Sequence, residues 1–323
     1  MMYFNNTNNF FHGIMFHHFY DDGVHTKDQG AISKDEFYKL INFIGRKNIL
    51  NADVFFEKFK QNKLKANEVC LTFDDGVKCQ IDVALPVLED LKIKSFFFVY
   101  TSVFEAKSDY LEVFRYFRMN YFNSVDEFYI NFYKVLNNDL NEFFKKNEDV
   151  IKDKKIKFPH YTIEDIKFRL IRDKYLTKKE YERNMSLMMK EKNFEPKSHF
   201  SHLFFDKKDL NQLNSLGHLI GLHSHNHQTL LESLSYDEQK LEYENSISAI
   251  SNIINKPKNE IKFMAHPCGS YNNYTLEILK ELKIELGFKQ IMTIEPEKGM
   301  KKINNSFLEI ARQDHAEIVK RMN

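Results

Sequence analysis

Glu68-Val69-Cys70-Leu71-Thr72-Phe73-Asp74-Asp75-Gly76 is the stretch on which the reading of the chain turns. It alternates, becomes continuously apolar, and stops on two carboxylates and a glycine, the pattern of a buried strand ending in a turn. Just downstream, Ile81, Leu85, Leu88 and Leu91 recur at helical spacing, and Lys94–Thr101 (KSFFFVYT) is again an apolar run of strand length. Strand, helix, strand with apolar residues on both faces predicts a parallel sheet covered by helices.

The same alternation extends in both directions. Upstream, the short apolar run Phe11–Phe19 precedes Ser33 and Glu36, a capping box that opens a helix through about Arg46. Downstream, residues 102–200 change to long helical periodicities rich in Lys, Asp and Asn, with a second capping box at Thr177 and Glu180. After them come a helix over Asp206–Leu216 closed by Gly217, a strand at His218–His223, and a long helix over Ser235–Asn255 capped by Ser235 and Glu238. A strand at Ile261–Ala265, a helix around Asn273–Leu286, a strand at Phe288–Ile294 and a last strand near Phe307–Ala311 complete the series. Repeated β/α units without a glycine-rich phosphate loop predict an α/β fold, a distorted (β/α) barrel with a large helical insertion. The expected organisation is a discontinuous barrel, 1–101 and 201–323, interrupted by a helical region over 102–200.

Composition narrows the function. At 42% hydrophobic and 15% aromatic the chain must bury a core. Forty-seven Lys and Arg against 46 Asp and Glu leave a formal net charge of +1, which draws the chain neither to nucleic acid nor to anionic membrane. No apolar run approaches the roughly eighteen residues of a membrane span, and Met1–Phe11 lacks a signal-peptide pattern, so the expectation is a soluble, cytoplasmic protein. Cys70, Cys79 and Cys268 are too few and too irregularly spaced for a disulfide framework.

Three places set ligand-type side chains at strand ends, where barrels assemble active sites. Asp74 and Asp75 repel if both are ionised and unpaired, so the pair makes sense when a cation neutralises one and the other serves as a base; Asp-Gly is equally a common turn dipeptide. His223-Ser224-His225-Asn226-His227 places a histidine at every second position after a strand, and two or three clustered imidazoles with one carboxylate form the open donor set of a catalytic zinc; the alternative is a solvated polar loop. His17-His18 ends the first apolar run, where an isolated pair is more often structural, buried and satisfied by backbone, than catalytic.

Taken in order, these residues resemble the polysaccharide deacetylase family, carbohydrate esterase family 4, whose common unit is the NodB-homology domain. Thr72-Phe73-Asp74-Asp75-Gly76 is similar to the family's TFDDG motif, which implies Asp74 as catalytic base and Asp75 as metal ligand. His223-Ser224-His225-Asn226-His227 is similar to its H-S/T-x-x-H motif, which implies His223 and His227 as the other ligands and leaves His225 outside the donor set. Phe263–Asn272, containing Ala265-His266-Pro267-Cys268-Gly269-Ser270-Tyr271, resembles the third motif in its AYPYGxYN variant, implying that Cys268 and Tyr271 line the groove and that the Cys268 backbone N–H serves the oxyanion. The Arg that many relatives carry in this motif is Ala265 here; Arg312, in a stretch similar to the C-terminal PRxD segment, is the candidate substitute, with an ordinary surface salt bridge as the alternative. Gly13–His18 resembles the LMYH segment of circularly permuted relatives, which implies His17 as general acid, with His18 and then His315 as alternatives.

The resemblance covers about residues 10–101 and 200–323 and implies a metal-dependent hydrolase, most simply a zinc enzyme, that removes N-acetyl groups from an amino sugar or its glycan precursor. Rival readings are a carbohydrate- or metal-binding relative without hydrolysis and a hydrolase of another, cyclic amide. Residues 104–133 hold eleven Phe or Tyr, among them Phe114, Phe117, Tyr121, Phe128 and Phe132 at roughly helical spacing, expected mostly as a core stripe and in part as caps over sugar rings.

Overall fold

Seven short strands carry the fold: β1 (His12–Phe16), β2 (Val69–Phe73), β3 (Phe96–Val99), β4 (Leu219–Leu222), β5 (Phe263–Ala265), β6 (Leu286–Phe288) and β7 (Arg312–Asp314). The structure is a computed structural model and describes residues 10–27, 30–105, 110–136, 138–158 and 161–322. All neighbours pair in parallel, in the order β6-β5-β4-β3-β2-β1-β7, and a parallel bridge between Phe288 and Ile310 brings the last edge against the first. The sheet is therefore a nearly closed (β/α) barrel. The chain divides into two compact units, one of Met1–Lys107 with Ser201–Asn323 and one of Ser108–Phe200.

Both faces of the barrel wall are apolar. Ile14, Phe16, Leu71, Phe73, Phe97 and Leu222 point outward under helices such as Lys34–Ile44, where Phe37 stands edge-on to Phe16 at 5.1 Å. Cys70, Phe96, Phe98, Phe263, Ala265, Leu286, Phe288 and Ile310 fill the interior. The helix Ala52–Lys60, which the sequence reading missed, adds Ala52, Phe55 and Phe56 to that interior cluster, with Phe55 packed on Phe96 and Phe288 and Phe56 on Phe263. Its apolar spacing is ordinary; only the aromatic interior it meets gives it a place. Gly221 has no substitute here, because a Cβ would lie 2.6 Å from the Phe263 carbonyl oxygen and 2.7 Å from the Phe98 ring.

Capping boxes form at Ser33/Glu36, Thr177/Glu180 and Ser235/Glu238 as their spacing predicts. Three elements near the end of the chain are shifted. The helix from Asn273 ends at Glu281, because Lys283 turns left-handed (φ 59°) and frees Leu286–Phe288 to be the strand expected at Phe288–Ile294. That expected strand reads as apolar, but Lys289 is buried beside Glu295 and folds the segment into turns. The last strand is Arg312–Asp314, not Phe307–Ala311: its polar letters hid it, and it is a strand because Gly13 and Met15 pair with Arg312 and Asp314.

In the 108–200 unit, helices including Tyr110–Asn120, Val125–Leu136, Ile163–Leu170 and Lys178–Glu191 bury Phe114, Phe117, Phe128, Phe132, Phe168 and Tyr181 among themselves. Four of the five aromatics singled out above are thus core; Tyr121 is half-exposed. No helix among the described residues is long and apolar enough to cross a membrane.

His12 and His218 lie at strand beginnings, away from the carboxylates, and burial depresses each to about 4. Both stay neutral in the fold while the unfolded chain takes up protons below about 6.5, so stability present above pH 6.5 is lost as pH falls toward 4. Each contributes about 1.4 kcal/mol of loss per pH unit in that window. Urea unfolding at pH 6.5, 5.5 and 4.5 should show this slope, and equal stabilities at all three would contradict it.

Candidate active site

Strand register assembles the site. Phe16 pairs with Phe73, Phe73 with Phe97, and Val99 with Leu222, so the residues that follow β1, β2 and β4, namely His17, Asp74 and His223, emerge on one rim. The Asp74 N–H still donates to the Phe16 carbonyl and the His223 N–H to that of Val99, extending the ladders to the last residue before the chain turns. Asp75 (φ 77°), Ser224 (φ 62°), His227 (φ 48°) and Cys268 (φ 52°) all take left-handed backbone. Each costs on the order of 1 kcal/mol, and such strain concentrates where function requires a particular direction of side chain.

Asp75 Oδ1 lies 3.3 Å from His223 Nε2 and 3.1 Å from His227 Nε2, and the three donor atoms form one compact group. His223 Nδ1 donates to the Ala265 carbonyl at 2.9 Å, which leaves Nε2 with a lone pair facing the carboxylate. Asp75 Oδ1 is buried and has no hydrogen-bond partner. Lone pairs crowded in this way repel unless a cation lies between them. Bonds of about 2.0–2.1 Å in a tetrahedral arrangement place donor atoms about 3.3 Å apart, so the set fits a small divalent ion such as zinc.

Asp74 is 1% exposed and has a different environment. Its Oδ1 accepts from Arg312 Nη1 at 2.6 Å; its Oδ2 turns to the other side, 3.9 Å from His17 Nε2 and 4.0 Å from His223 Nε2. Burial is the largest influence on the carboxyl and would raise its pKa. Arg312, then His223, the Arg312 hydrogen bond and His17 outweigh it together and hold Asp74 below the usual carboxylate range. One oxygen is therefore anchored and the other presents negative charge beside the Asp75–His223–His227 group.

Arg312 is 1% exposed, so this is not a surface salt bridge. It enters from β7, donates through Nε to the Lys289 carbonyl at 2.9 Å and through Nη1 also to Thr72 Oγ1 at 3.3 Å. Its passage runs over Gly13, where a Cβ would stand 3.1 Å from Arg312 Cγ and 3.2 Å from the Phe288 ring. Neither Gly13 nor this path could be read from the sequence.

His17 is half-buried, with Nε2 also 4.0 Å from Asp75 Oδ2. His18 stacks beside it at 6.2 Å between ring centres. His225 lies outside the donor group: its Nδ1 meets Thr101 Oγ1 at 2.9 Å and its Nε2 is 3.8 Å from Glu105. His315 is buried against Phe16 and faces the carbonyls of Met15 and Gly30, a structural place. Cys268 is exposed on the turn Pro267–Gly269. Tyr271 corrects its expected role: it is 1% exposed, stacked on His266 at 4.1 Å, with its hydroxyl donating to Glu309 at 3.2 Å, and has no surface left for a substrate.

The carboxylates and imidazoles thus lie together on one rim of a parallel barrel. The sequence model of the family described as Polysaccharide deacetylase matches residues 61–120 and 138–287, about two thirds of the chain. The chain belongs to that family, which makes it a carbohydrate deacetylase. The match takes in Asp74, Asp75, His223, His227 and Cys268 and much of 102–200, which the sequence reading had left outside the resemblance; His17 and Arg312 fall beyond its ends. No curated protein matches the sequence.

Solved structures share the fold at low identity. The deacetylase PplD of Streptococcus pyogenes matches with 16% identity and a TM-score of 0.54, covering 98% of this chain and 100% of that one. IcaB of Ammonifex degensii matches with 12% identity and a TM-score of 0.54, covering 97% and 96%. A de-N-acetylase of Aggregatibacter actinomycetemcomitans matches with 13% identity and a TM-score of 0.55, covering 97% and 99%.

Proposed function

We propose that the protein is a zinc-dependent hydrolase of the N-acetyl group on amino sugars, with Asp75, His223 and His227 holding the metal. The observation that carries this is the convergence of their three donor atoms around a buried carboxylate oxygen without a hydrogen-bond partner, beside a second carboxylate with one oxygen free. When bound, the cation supplies Lewis acidity that polarises the acetyl carbonyl and makes water easier to deprotonate.

The chain's own groups do the rest. Asp74 Oδ2 takes a proton from water as its oxygen attacks the amide carbon, while Arg312 keeps the carboxylate ionised and oriented. The Cys268 backbone N–H donates to the developing oxyanion. His17 delivers a proton to the sugar nitrogen as the C–N bond breaks, because an amine leaves poorly unless protonated. Acetate and the free amine result, and the S. pyogenes relative of the same fold was solved in complex with acetate. Supplying the acid from the start of the chain and the guanidinium from its end supports a circularly permuted arrangement of the family's motifs. The same guanidinium argues against a binding-only relative, since the Arg missing at Ala265 is replaced from β7.

The decisive assay is acetate release from N-acetylglucosamine oligomers, polymer and nucleotide-linked sugar, with zinc added and with chelator. Zinc-dependent release is expected; release that a chelator leaves untouched would remove the metal from the reading. Replacing His17 by Gln should lower amide turnover about 10²–10⁴-fold with zinc binding intact. An acetyl ester with a good leaving group should suffer far less, and equal losses on amide and ester would take His17 out of the acid role.

A further inference from the structure

The loop that carries two of the three donors is short and strained, so something must hold it. Ser224 and His227 both sit at positive φ, and between them the chain runs through His225 and Asn226. Hydrogen bonds to its backbone do so. The His227 N–H donates to Ser224 Oγ at 3.1 Å, inside the loop, and the His225 carbonyl accepts from the Ser102 N–H at 2.9 Å, from the turn that follows β3. The amides of His225 and Asn226 both go to one side chain. Glu242 Oε2 accepts from the His225 N–H at 3.0 Å and the Asn226 N–H at 2.7 Å, and Oε1 accepts from Asn226 Nδ2 at 2.6 Å.

Glu242 is 7% exposed and projects from the helix Tyr236–Ile254. No Lys or Arg forms an ion pair with it among the described residues, so these three N–H groups are what compensate its buried carboxylate. A buried anion bound only by loop amides is costly to leave unpaired, and charge-assisted hydrogen bonds of this type are roughly twice as strong as neutral ones.

We infer that Glu242 is a positioning residue for the metal centre: by clamping the His225–Asn226 backbone to the Tyr236–Ile254 helix, it keeps His227 Nε2 on Asp75 Oδ1. Partners that orient ligands commonly change metal affinity by about 10–100-fold when removed. Glu242 acts one step further out, on the backbone that aims the ligand. The inference rests on the zinc reading above, and its test separates the two.

Glu242→Gln keeps the shape but offers a single acceptor oxygen and turns an N–H donor toward the loop. Zinc affinity of the purified protein, read by competition with a chromophoric chelator, should weaken about 10–100-fold. The kcat at saturating zinc should return near that of the unmodified protein, because Asp74 and the donors remain, and the amides of His225 and Asn226 should exchange faster in the metal-free protein. A purely structural role would instead lower the melting temperature and leave a turnover deficit that zinc does not restore. Should the Gln variant not fold, Glu242→Asp keeps the charge one methylene short of the loop and is expected to show the same losses in weaker form. Unchanged zinc affinity with unchanged exchange, in a protein that does bind zinc, overturns the inference alone. An unmodified protein that binds no zinc overturns the reading of the site and the inference with it.

Discussion

Asp74→Asn is expected to abolish deacetylation while leaving zinc bound, and His223→Ala to lose both. The two carboxylates are adjacent, yet the fold gives them separate work. Asp75 points at the imidazoles, and Asp74 points one oxygen at Arg312 and the other toward His17 and His223. Asparagine keeps an oxygen that can accept from Arg312, so the local geometry survives, but it cannot take a proton from water. A general base typically contributes about 10²–10⁴ in rate, so turnover should fall at least that far. His223→Ala removes one donor outright and deprives the Ala265 carbonyl of its partner. Isothermal titration with zinc, beside acetate release, distinguishes the cases. Measurable turnover in Asp74→Asn would take Asp74 out of the base role, and zinc binding of normal strength by His223→Ala would dissolve the donor set.

Arg312→Met should both destabilise the protein and displace its pH profile. Arg312 and Asp74 are each almost fully buried, and removing one partner strands the other's charge, a loss of about 3–5 kcal/mol. Arg312 is also the strongest of the groups that hold the Asp74 carboxyl low against burial. Without it the pKa rises, so the acid limb of kcat/KM, where Asp74 must be ionised, moves to higher pH and activity near neutrality falls. The double variant Asp74→Asn with Arg312→Met should recover part of the lost stability, since it removes the stranded carboxylate. Urea midpoints for the cycle and the pH–rate profile of the single variant are the measurements. An acid limb that does not move, or a stability within about 1 kcal/mol of the unmodified protein, would reduce the pair to a dispensable surface-type bridge.

Much of this site could be read from local spacing because its chemistry is written in adjacent residues. Asp74 and Asp75 stop an apolar strand, and His223 and His227 follow another; both positions are strand ends, and parallel strands bring their ends to one rim. Arg312 was visible only through resemblance, as it is 238 residues from Asp74 and sits in a strand whose letters are polar. Tyr271 was assigned to the groove because its motif is, whereas its ring is buried against His266. Glu242 carries no local signal: on its helix it is one acidic residue among several, and only its three contacts single it out.

The order of apolar runs and helix caps was enough to point to a parallel α/β barrel, because strands buried on both faces are mostly apolar, β7 being the exception, and a helix satisfies its first N–H groups locally. It also narrowed the candidates to the carboxylates and imidazoles at strand ends, and the resemblance then proposed which of them serve. Tertiary structure decided everything that depends on distance across the chain: that Asp74 leans on Arg312 past Gly13, that a helix with unremarkable letters supplies aromatics to the barrel interior, and that Glu242 holds the histidine loop. Such partners are selected by three-dimensional proximity inside a low-dielectric core, where one ion pair or one missing methyl group outweighs local preference, and no spacing rule along the chain encodes it.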